Sequence, residues 1–296
     1  MTIREALAWA RARLAAADLA ASPREASLLL GHLLGRGEAQ LLARDDEPLP
    51  APLAARFASL LERRLRGEPV AYLLGRREFW GREFAVDGRV LVPRPETEHL
   101  VEAALALAPR LPPAPRLLDL GTGSGCIAVT LALELPDSRV VACDRSPAAL
   151  AVARRNARQL GGRVAFVAAD WARPLDAFGF DLLVSNPPYL DPAMPVPRDV
   201  ADWEPPGALW GGEAGLAEYR ALLAGLARAR PGTPLLVEIG AGQGAALAAL
   251  ARELGWRAVE TRRDLAGIER VVTLVRAAHD DAPDDAPEAA PHATAR

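Results

Sequence analysis

The sequence predicts an α/β protein: a doubly wound, mainly parallel sheet preceded by a small helical N-terminal domain and a β-hairpin linker. Three observations carry this reading. From Arg116 onward, short runs of apolar residues alternate with helical segments, as strands joined by crossover helices do. Two of the strand-to-helix junctions are glycine-rich, "DLGTGSG" and "EIGAGQG". Ahead of Gly67 the chain carries helix signals instead.

Residues 2 to about 66 read as helices. Ile3, Leu7, Leu14 and Leu19 mark one apolar face of the first. In "SPRE", Ser22 is the expected N-cap, Pro23 the first helical residue and Glu25 the closing partner of a capping box. A third helix, "LAARFASLLERRL", follows "PLPAP", and the arginines here read as a solvated face. Between Gly67 and Pro95 the texture changes. "REFWGREFAVDGRVLVP" reads as a hairpin whose aromatic and β-branched residues flank a turn at Asp87-Gly88. Then come the strands "RLLDL", with a helix from Ser124, and "RVVACD", with a helix from about Ser146-Pro147. "RVAFVAAD", "FDLLVSN", "TPLLVEIG", "RAVETR" and "RVVTLV" are the later strands. The expected divisions are a helical domain over 1–66, a hairpin linker over 67–95, the α/β domain over 96–276 and a tail over 277–296. The tail is rich in Ala, Asp and Pro, too poor in apolar surface to offset chain entropy, and is predicted to be disordered.

Half of the 296 residues are apolar, a quarter are charged and the formal net charge is −3. That is an ordinary globular balance. Its acidity argues against tight nonspecific nucleic-acid binding, although a local basic face is compatible with it. Two cysteines, Cys126 and Cys143, are too few for a disulfide framework or a zinc site and read as small buried hydrophobes, so no metal is expected. The first twenty residues carry charges throughout, unlike a signal peptide, and no uncharged apolar run has the length of a membrane span. The expected compartment is the cytoplasm.

The two glycine loops compete as a cofactor site. About twenty residues after the first, a second strand ends in Asp144, placed to accept hydrogen bonds from ribose hydroxyls. Asp264 stands at a similar distance from the second loop, so spacing alone does not choose. Topology does, because a doubly wound sheet binds its ligand where strand order reverses, beside its first strand. "EIGAGQG" is then a later structural turn. In the first loop Cys126 occupies the place of the third glycine of a dinucleotide fingerprint, which favours adenosyl chemistry over NAD. Asp144 could instead cap a helix, but Ser146 is the better cap for Pro147 and leaves the carboxylate free.

"SNPPYL" ends the strand "FDLLVSN", because two prolines cannot donate to a ladder. In strand order 3-2-1-4-5 this strand lies beside the first, so "NPPY" faces "GTGSG" across the crevice. An amino group conjugated to a carbonyl or ring is a poor nucleophile, since its lone pair is delocalised. An enzyme can still position it. Asn186 Oδ1 and the Pro187 carbonyl can accept its two N–H bonds and steer the lone pair toward an electrophilic methyl. The prolines stiffen the turn, and Tyr189 offers a flat surface. Such alignment supplies roughly 7–11 kcal/mol of barrier reduction.

"DLGTGSGCIA", "CDRS", "ADW" and "SNPPY" resemble the S-adenosylmethionine-dependent amino-methyltransferases, enzymes of class I, Rossmann-like fold. "GEPVAYLLGRREFWG", "VLVPRPETE", "EPPGALWGGEAGL" and "LAGIERVV" narrow the resemblance to the HemK-type peptide chain release factor glutamine N5-methyltransferases, from the N-terminal helices to about Val275. Asn-Pro-Pro-Tyr alone is shared with DNA adenine and cytosine methyltransferases; together with "PRPETE" it is specific. The resemblance implies that S-adenosylmethionine is held by Gly121, Thr122, Gly123, Ser124, Gly125 and Asp144, with Trp171 beside the adenine and Asn186 near the sulfonium. It implies that Asn186, Pro187, Pro188 and Tyr189 bind the substrate glutamine, with Asn186, Pro187 and Tyr189 catalytic. Phe79 either closes the substrate pocket or belongs to the hairpin core. The implied partner is a release factor, docked on the helical domain and methylated at the glutamine of a Gly-Gly-Gln loop, with no membrane and no direct nucleic-acid substrate. The alternative is a DNA or RNA amino-methyltransferase acting on adenine N6 or cytosine N4 of a flipped base, which should carry a basic stripe or a target-recognition domain.

Overall fold

The computed structural model describes residues 1–17, 22–173 and 175–278. Leu19 and the tail beyond residue 278 lie outside the described residues, and with them the expectation of tail disorder. Five helices come first: α1 (Ile3–Ala15), α2 (Arg24–Leu34), α3 (Glu38–Ala43), α4 (Ala51–Leu65) and α5 (Val70–Leu74). Ile3, Leu7 and Leu14 turn inward against Leu29, Leu30, Phe57 and Leu61, all buried. The capping arrangement at α2 is looser than the sequence predicts. Glu25 reaches back to the Ser22 amide, but Ser22 Oγ accepts from Arg24, and the helix begins one residue after Pro23. Helices α3 and α5 have six and five residues, too short to imprint a periodic apolar face.

The hairpin lies earlier than expected. Strands β1 (Arg76–Phe79) and β2 (Arg82–Ala85) pair antiparallel, with Phe79 opposite Arg82. The turn is therefore Trp80-Gly81, where both residues have positive φ, 53° and 66°. Those are the angles of a tight two-residue hairpin turn. Tryptophan is a costly residue there, and two carboxylates compensate: Glu98 accepts from the Trp80 backbone N–H at 2.8 Å and Glu134 from its indole at 3.2 Å. Asp87-Gly88 forms a separate turn, with the Asp87 side chain accepting from the Arg89 backbone N–H.

The α/β part runs α6 (Glu98–Leu107), β3 (Arg116–Leu120), α7 (Cys126–Glu134), β4 (Arg139–Asp144), α8 (Pro147–Leu160), β5 (Val164–Ala168), β6 (Leu182–Ser185), α9 (Arg198–Ala201), α10 (Ala217–Gly225), β7 (Pro234–Glu238), α11 (Gly244–Glu253), β8 (Trp256–Arg263) and β9 (Glu269–Arg276). The sheet order is β5-β4-β3-β6-β7-β9-β8; β3 to β7 run parallel, and β9 is antiparallel to both its neighbours. Leu118, Leu183 and Leu235 pack on one face with Leu222 and Leu247, while Leu117, Leu182 and Leu236 pack on the other with Leu100 and Ile127. Burial on both faces is why these strands read as unbroken apolar runs. This is the predicted doubly wound architecture, with its order reversing at β3. No helix among the described residues is long and apolar enough to cross a membrane.

The helical part is joined to the sheet part through Arg64. Its side chain is 2% exposed, its Nε donates to Glu25 at 2.7 Å, and its guanidinium reaches Asp199 on α9 at 3.3 Å. Replacing Arg64 by Met keeps the stem but leaves two carboxylates uncompensated. The expected loss is about 3 kcal/mol of unfolding free energy, read as a lower urea midpoint. The double variant Arg64→Met/Glu25→Gln should recover part of it, and an unchanged midpoint for the single variant would show that the pair is idle.

Candidate active site

Strand register builds the site. Leu120 at the end of β3 stands opposite Cys143 on β4 and Ser185 on β6. The loops that follow these strands therefore leave the sheet side by side. The first is the glycine loop. Gly121, Gly123 and Gly125 all have positive φ, and a Cβ on Gly125 would meet Ala153 at 3.0 Å. Amides of Gly121 and Thr122 both donate to the Cys143 carbonyl at 2.9 Å. Helix α7 starts at Cys126 rather than Ser124, because Gly125 serves as its left-handed N-cap. Beneath the loop, Asp119 is 1% exposed and accepts from the Thr122 hydroxyl at 2.6 Å, while its Oδ1 has no partner among the described residues. Burial pushes its pKa up to about 7.

Asp144 ends β4 at the same rim. Ser146 is indeed the helix cap, accepting from the Ala149 amide at 3.2 Å. Yet Asp144 is not left free: it accepts from Gly123 N at 2.9 Å and from Ser146 N at 2.8 Å. It is a strut of the glycine loop with lone pairs left over. Trp171 has φ 52° and donates its indole N–H to Glu218 at 3.1 Å. Its ring lies 3.5 Å from where a Gly121 side chain would begin. Gly121, Asp144, Trp171 and Pro188 line one cavity.

Asn186 follows directly on Ser185, whose hydroxyl donates to the Leu120 carbonyl at 2.8 Å. Asn186, Pro187 and Tyr189 line a second cavity of about 250 Å³, with Leu91, Arg94 and Val200 among its other walls. The Asn-Pro-Pro-Tyr turn is thus the partition between two cavities: Pro188 faces one, and its neighbours face the other. Asn186 Nδ2 donates to Thr97 Oγ1 at 3.1 Å, and Oδ1 accepts no hydrogen bond from the described residues. The Tyr189 hydroxyl donates to Glu238 Oε1 at 3.4 Å. Glu238 is 1% exposed, and burial pushes its pKa up to about 7.

Phe79 is not in either cavity wall. It is 1% exposed and packs edge-to-face on Phe84, in the same core as Ile127 and Leu182, so its place is the hairpin core. The second glycine loop is filled by its own side chain: Gln243 accepts from Gly240 N at 2.9 Å and donates to the Tyr189 carbonyl at 3.0 Å. Asp264 is taken by Arg270 at 2.8 Å. Several residues of the site escape the sequence reading. Buried Asn156 donates to the Ser124 and Ala85 carbonyls at 2.8 and 3.0 Å, tying glycine loop to hairpin. Glu204 accepts from Val92 N at 3.0 Å and from Arg94, joining "PRPETE" to "EPPGALW". Only the quoted segments themselves hinted at these pairings. Cys126 and Cys143 are buried, which pushes both thiols up to about 12.

Residues 5–75 match the family model described as PrmC N-terminal domain, and residues 97–197 match that described as methyltransferase small domain. The chain is 49% identical over 263 residues to the release factor glutamine methyltransferase of Bordetella pertussis, covering 86% of this chain and 96% of that protein. It is 48% identical to the protein of that name from Burkholderia pseudomallei, covering 86% and 94% of the two chains. For the Cereibacter sphaeroides protein of that name the identity is 45%, with 92% and 98% covered. Among solved structures, a methyltransferase from Pyrococcus furiosus superposes with a TM-score of 0.50 at 15% identity, over 75% of this chain and all of that one. That likeness is one of fold.

Asp119 allows a pH test. Its carboxyl titrates at 3.8 when unperturbed and near 7 in the fold. Between those values the folded state holds a proton that the unfolded chain has lost. Wild-type stability is therefore withdrawn as pH rises through this window and falls no further above it. Asp119→Asn never ionises. Its advantage in urea unfolding should grow from about pH 4 to about pH 7 and then level off, at up to roughly 4 kcal/mol. A difference that is flat across this range would place the carboxyl's titration elsewhere.

Proposed function

The chain belongs to the family of release factor glutamine methyltransferases, and on that premise we propose that it transfers a methyl group from S-adenosylmethionine to the side-chain amide nitrogen (N5) of a release-factor glutamine, in a Gly-Gly-Gln segment. The observation that carries the reading is the Asn-Pro-Pro-Tyr turn standing as the shared wall of two cavities. A methyl donor on one side and a planar amide on the other would meet at that wall.

The residues fit the cofactor. Gly121 leaves open the space in front of the Trp171 ring, and that indole can lie against an adenine. Asp144 keeps acceptor capacity for ribose hydroxyls beyond its two backbone bonds. Asp119 has a buried oxygen without a hydrogen-bond partner among the described residues, on a carboxylate that a cationic ligand would stabilise in its ionised form. When bound, S-adenosylmethionine supplies an electrophilic methyl carbon.

The chain's own task is to present the amide. With Nδ2 engaged by Thr97, Asn186 Oδ1 can accept one N–H of the substrate, and the Pro187 carbonyl the other. Holding both hydrogens favours the rehybridised nitrogen of the transition state over the flat amide of the ground state. Tyr189, held by Glu238 below and by Gln243 at its carbonyl, gives the planar group a fixed surface. Arg94 and the α9 segment supply the outer walls. The helical domain is the proposed dock for the release factor, since one glutamine side chain offers too little surface for selectivity. The same pocket chemistry would serve a nucleobase amino group; family membership sets glutamine above it.

Asn186→Ala should lower kcat on a release factor by roughly 10²–10³-fold, with cofactor affinity by calorimetry nearly unchanged. Asp144→Ala should do the reverse, weakening cofactor binding by at least roughly 1.5–3 kcal/mol, while Asp264→Ala leaves it alone. Full turnover by Asn186→Ala would end the positioning account, and weaker cofactor binding by Asp264→Ala would move the cofactor to the second loop.

A further inference from the structure

The turn between β8 and β9 is built more tightly than an exposed connection needs. Asp264 frames it: Oδ1 accepts from Ala266 N and from Ile268 N, each at 2.9 Å, and Oδ2 accepts from Arg270 Nε at 2.8 Å. The backbone closes the same loop, with Asp264 N donating to the Ile268 carbonyl and Gly267 N to the Asp264 carbonyl, both at 2.9 Å. Arg263 donates to the Gly267 carbonyl at 2.8 Å, and Gly267 takes φ 79°. Out of this frame stands Leu265, 106% exposed, more than any other large apolar side chain among the described residues. Ile268, three positions on, is itself 36% exposed. A single exposed leucine is ordinary on a protein surface, but this one is held out by a rigid turn. Its backbone is not left-handed, so the turn would accept a polar residue, and a side chain wholly in solvent adds nothing to the core.

The turn also stands at the rim of the site. Strand β9 runs antiparallel to β7, with Val271 opposite Glu238, so the β8–β9 turn leaves the same end of the sheet as the Asn-Pro-Pro-Tyr turn. Tyr189, a wall of the substrate cavity, donates to Glu238 at the end of β7. Neighbouring strands stand roughly 5 Å apart, which puts β9 and β8 about 5 and 10 Å from β7 along that rim. A protein contact of ordinary size covers roughly 800 Å² on each partner, a disc about 16 Å in radius. Centred on Tyr189, such a contact reaches the turn.

The charges around the turn decide what it fits. Arg262 pairs with Glu260, Arg263 with Glu269 and Arg270 with Asp264. The leucine therefore rises from a surface whose charges are matched internally, which suits an apolar patch of a protein better than a phosphate backbone. A side chain already held in place also loses little freedom on docking. On the reading above, in which a release factor is the substrate, we propose that the β8–β9 turn is a docking point for that release factor, with Leu265 as its apolar anchor. Asp264, an acid at ribose-acceptor spacing, then has the task of holding the anchor.

The test measures kcat and KM for an intact release factor at saturating S-adenosylmethionine. Leu265→Ser removes the apolar group and should raise KM by roughly 10- to 100-fold, the cost of leaving one leucine unburied. Its kcat, cofactor affinity by calorimetry and melting temperature should stay at wild-type values, as when binding alone is lost. Leu265→Met keeps an apolar side chain and should recover most of the KM. A wild-type KM in Leu265→Ser overturns the inference and leaves the function standing. A fall in kcat or cofactor affinity in place of the rise in KM also overturns it, because the turn would then be shaping the site. So does a wild-type dimer that Leu265→Ser splits without a change in KM, since the occupant would be a second copy of the chain. Failure of the wild-type enzyme to methylate the release factor overturns the reading on which the inference rests.

Discussion

Leu120 and Ser185 stand opposite each other at the ends of β3 and β6, and the Ser185 hydroxyl donates to the Leu120 carbonyl at 2.8 Å. Because the two strands end level, the next residues, Gly121 and Asn186, begin their loops as neighbours. The chain reaches this point from opposite directions along the sheet, since β4 and β5 lie on one side of β3 and β6 and β7 on the other. The strand order reverses at this gap, and that is where a crevice opens. A slip of one residue between β3 and β6 would reverse the facing of every side chain on one of them and part Ser185 from Leu120. The same register that makes the core possible therefore sets the distance between the two halves of the site.

The site is built at some cost to the fold. On either side of β6 lies a strand carrying a buried carboxylate: Asp119 on β3 and Glu238 on β7. Each has an oxygen without a hydrogen-bond partner among the described residues, and burial raises the pKa of each to about 7. A core designed for stability alone would place apolar groups there. Here one carboxylate lies under the glycine loop and the other under the Asn-Pro-Pro-Tyr turn. Trp171 and the hairpin's Trp80 likewise hold positive φ, each with its indole N–H tied to a glutamate. Buried, incompletely paired carboxylates beside the crevice are expected when polar groups are held ready for a ligand.

What could be read from the sequence was whatever is local. The alternation of apolar runs and helices, the glycine loop, Asp144 at its spacing and the Asn-Pro-Pro-Tyr turn all depend on residues within a few positions of one another. The hairpin turns at Trp80-Gly81, which lacks the usual Asn-Gly or Asp-Gly signal, while Asp87-Gly88 carries that signal and forms a separate turn. The supports of the site were hidden for a different reason. Asn156 with Ser124, Glu204 with Arg94, Thr97 with Asn186 and Arg64 with Asp199 pair across 32 to 135 positions, and no spacing rule links them. Reading "EIGAGQG" as a structural turn agrees with the way Gln243 fills it, but that reading gave no sign that Glu238 would sit beneath Tyr189.

The central claim is that this crevice presents one planar amide to one methyl donor. Its most direct test is peptide mass spectrometry of a release factor after incubation with the enzyme and S-adenosylmethionine carrying an isotopically labelled methyl group. The account predicts a single labelled methyl on the side-chain nitrogen of the Gly-Gly-Gln glutamine, with no label in DNA or RNA added to the same reaction. Label on a nucleobase, or on another residue of the release factor while that glutamine stays unmodified, would contradict it.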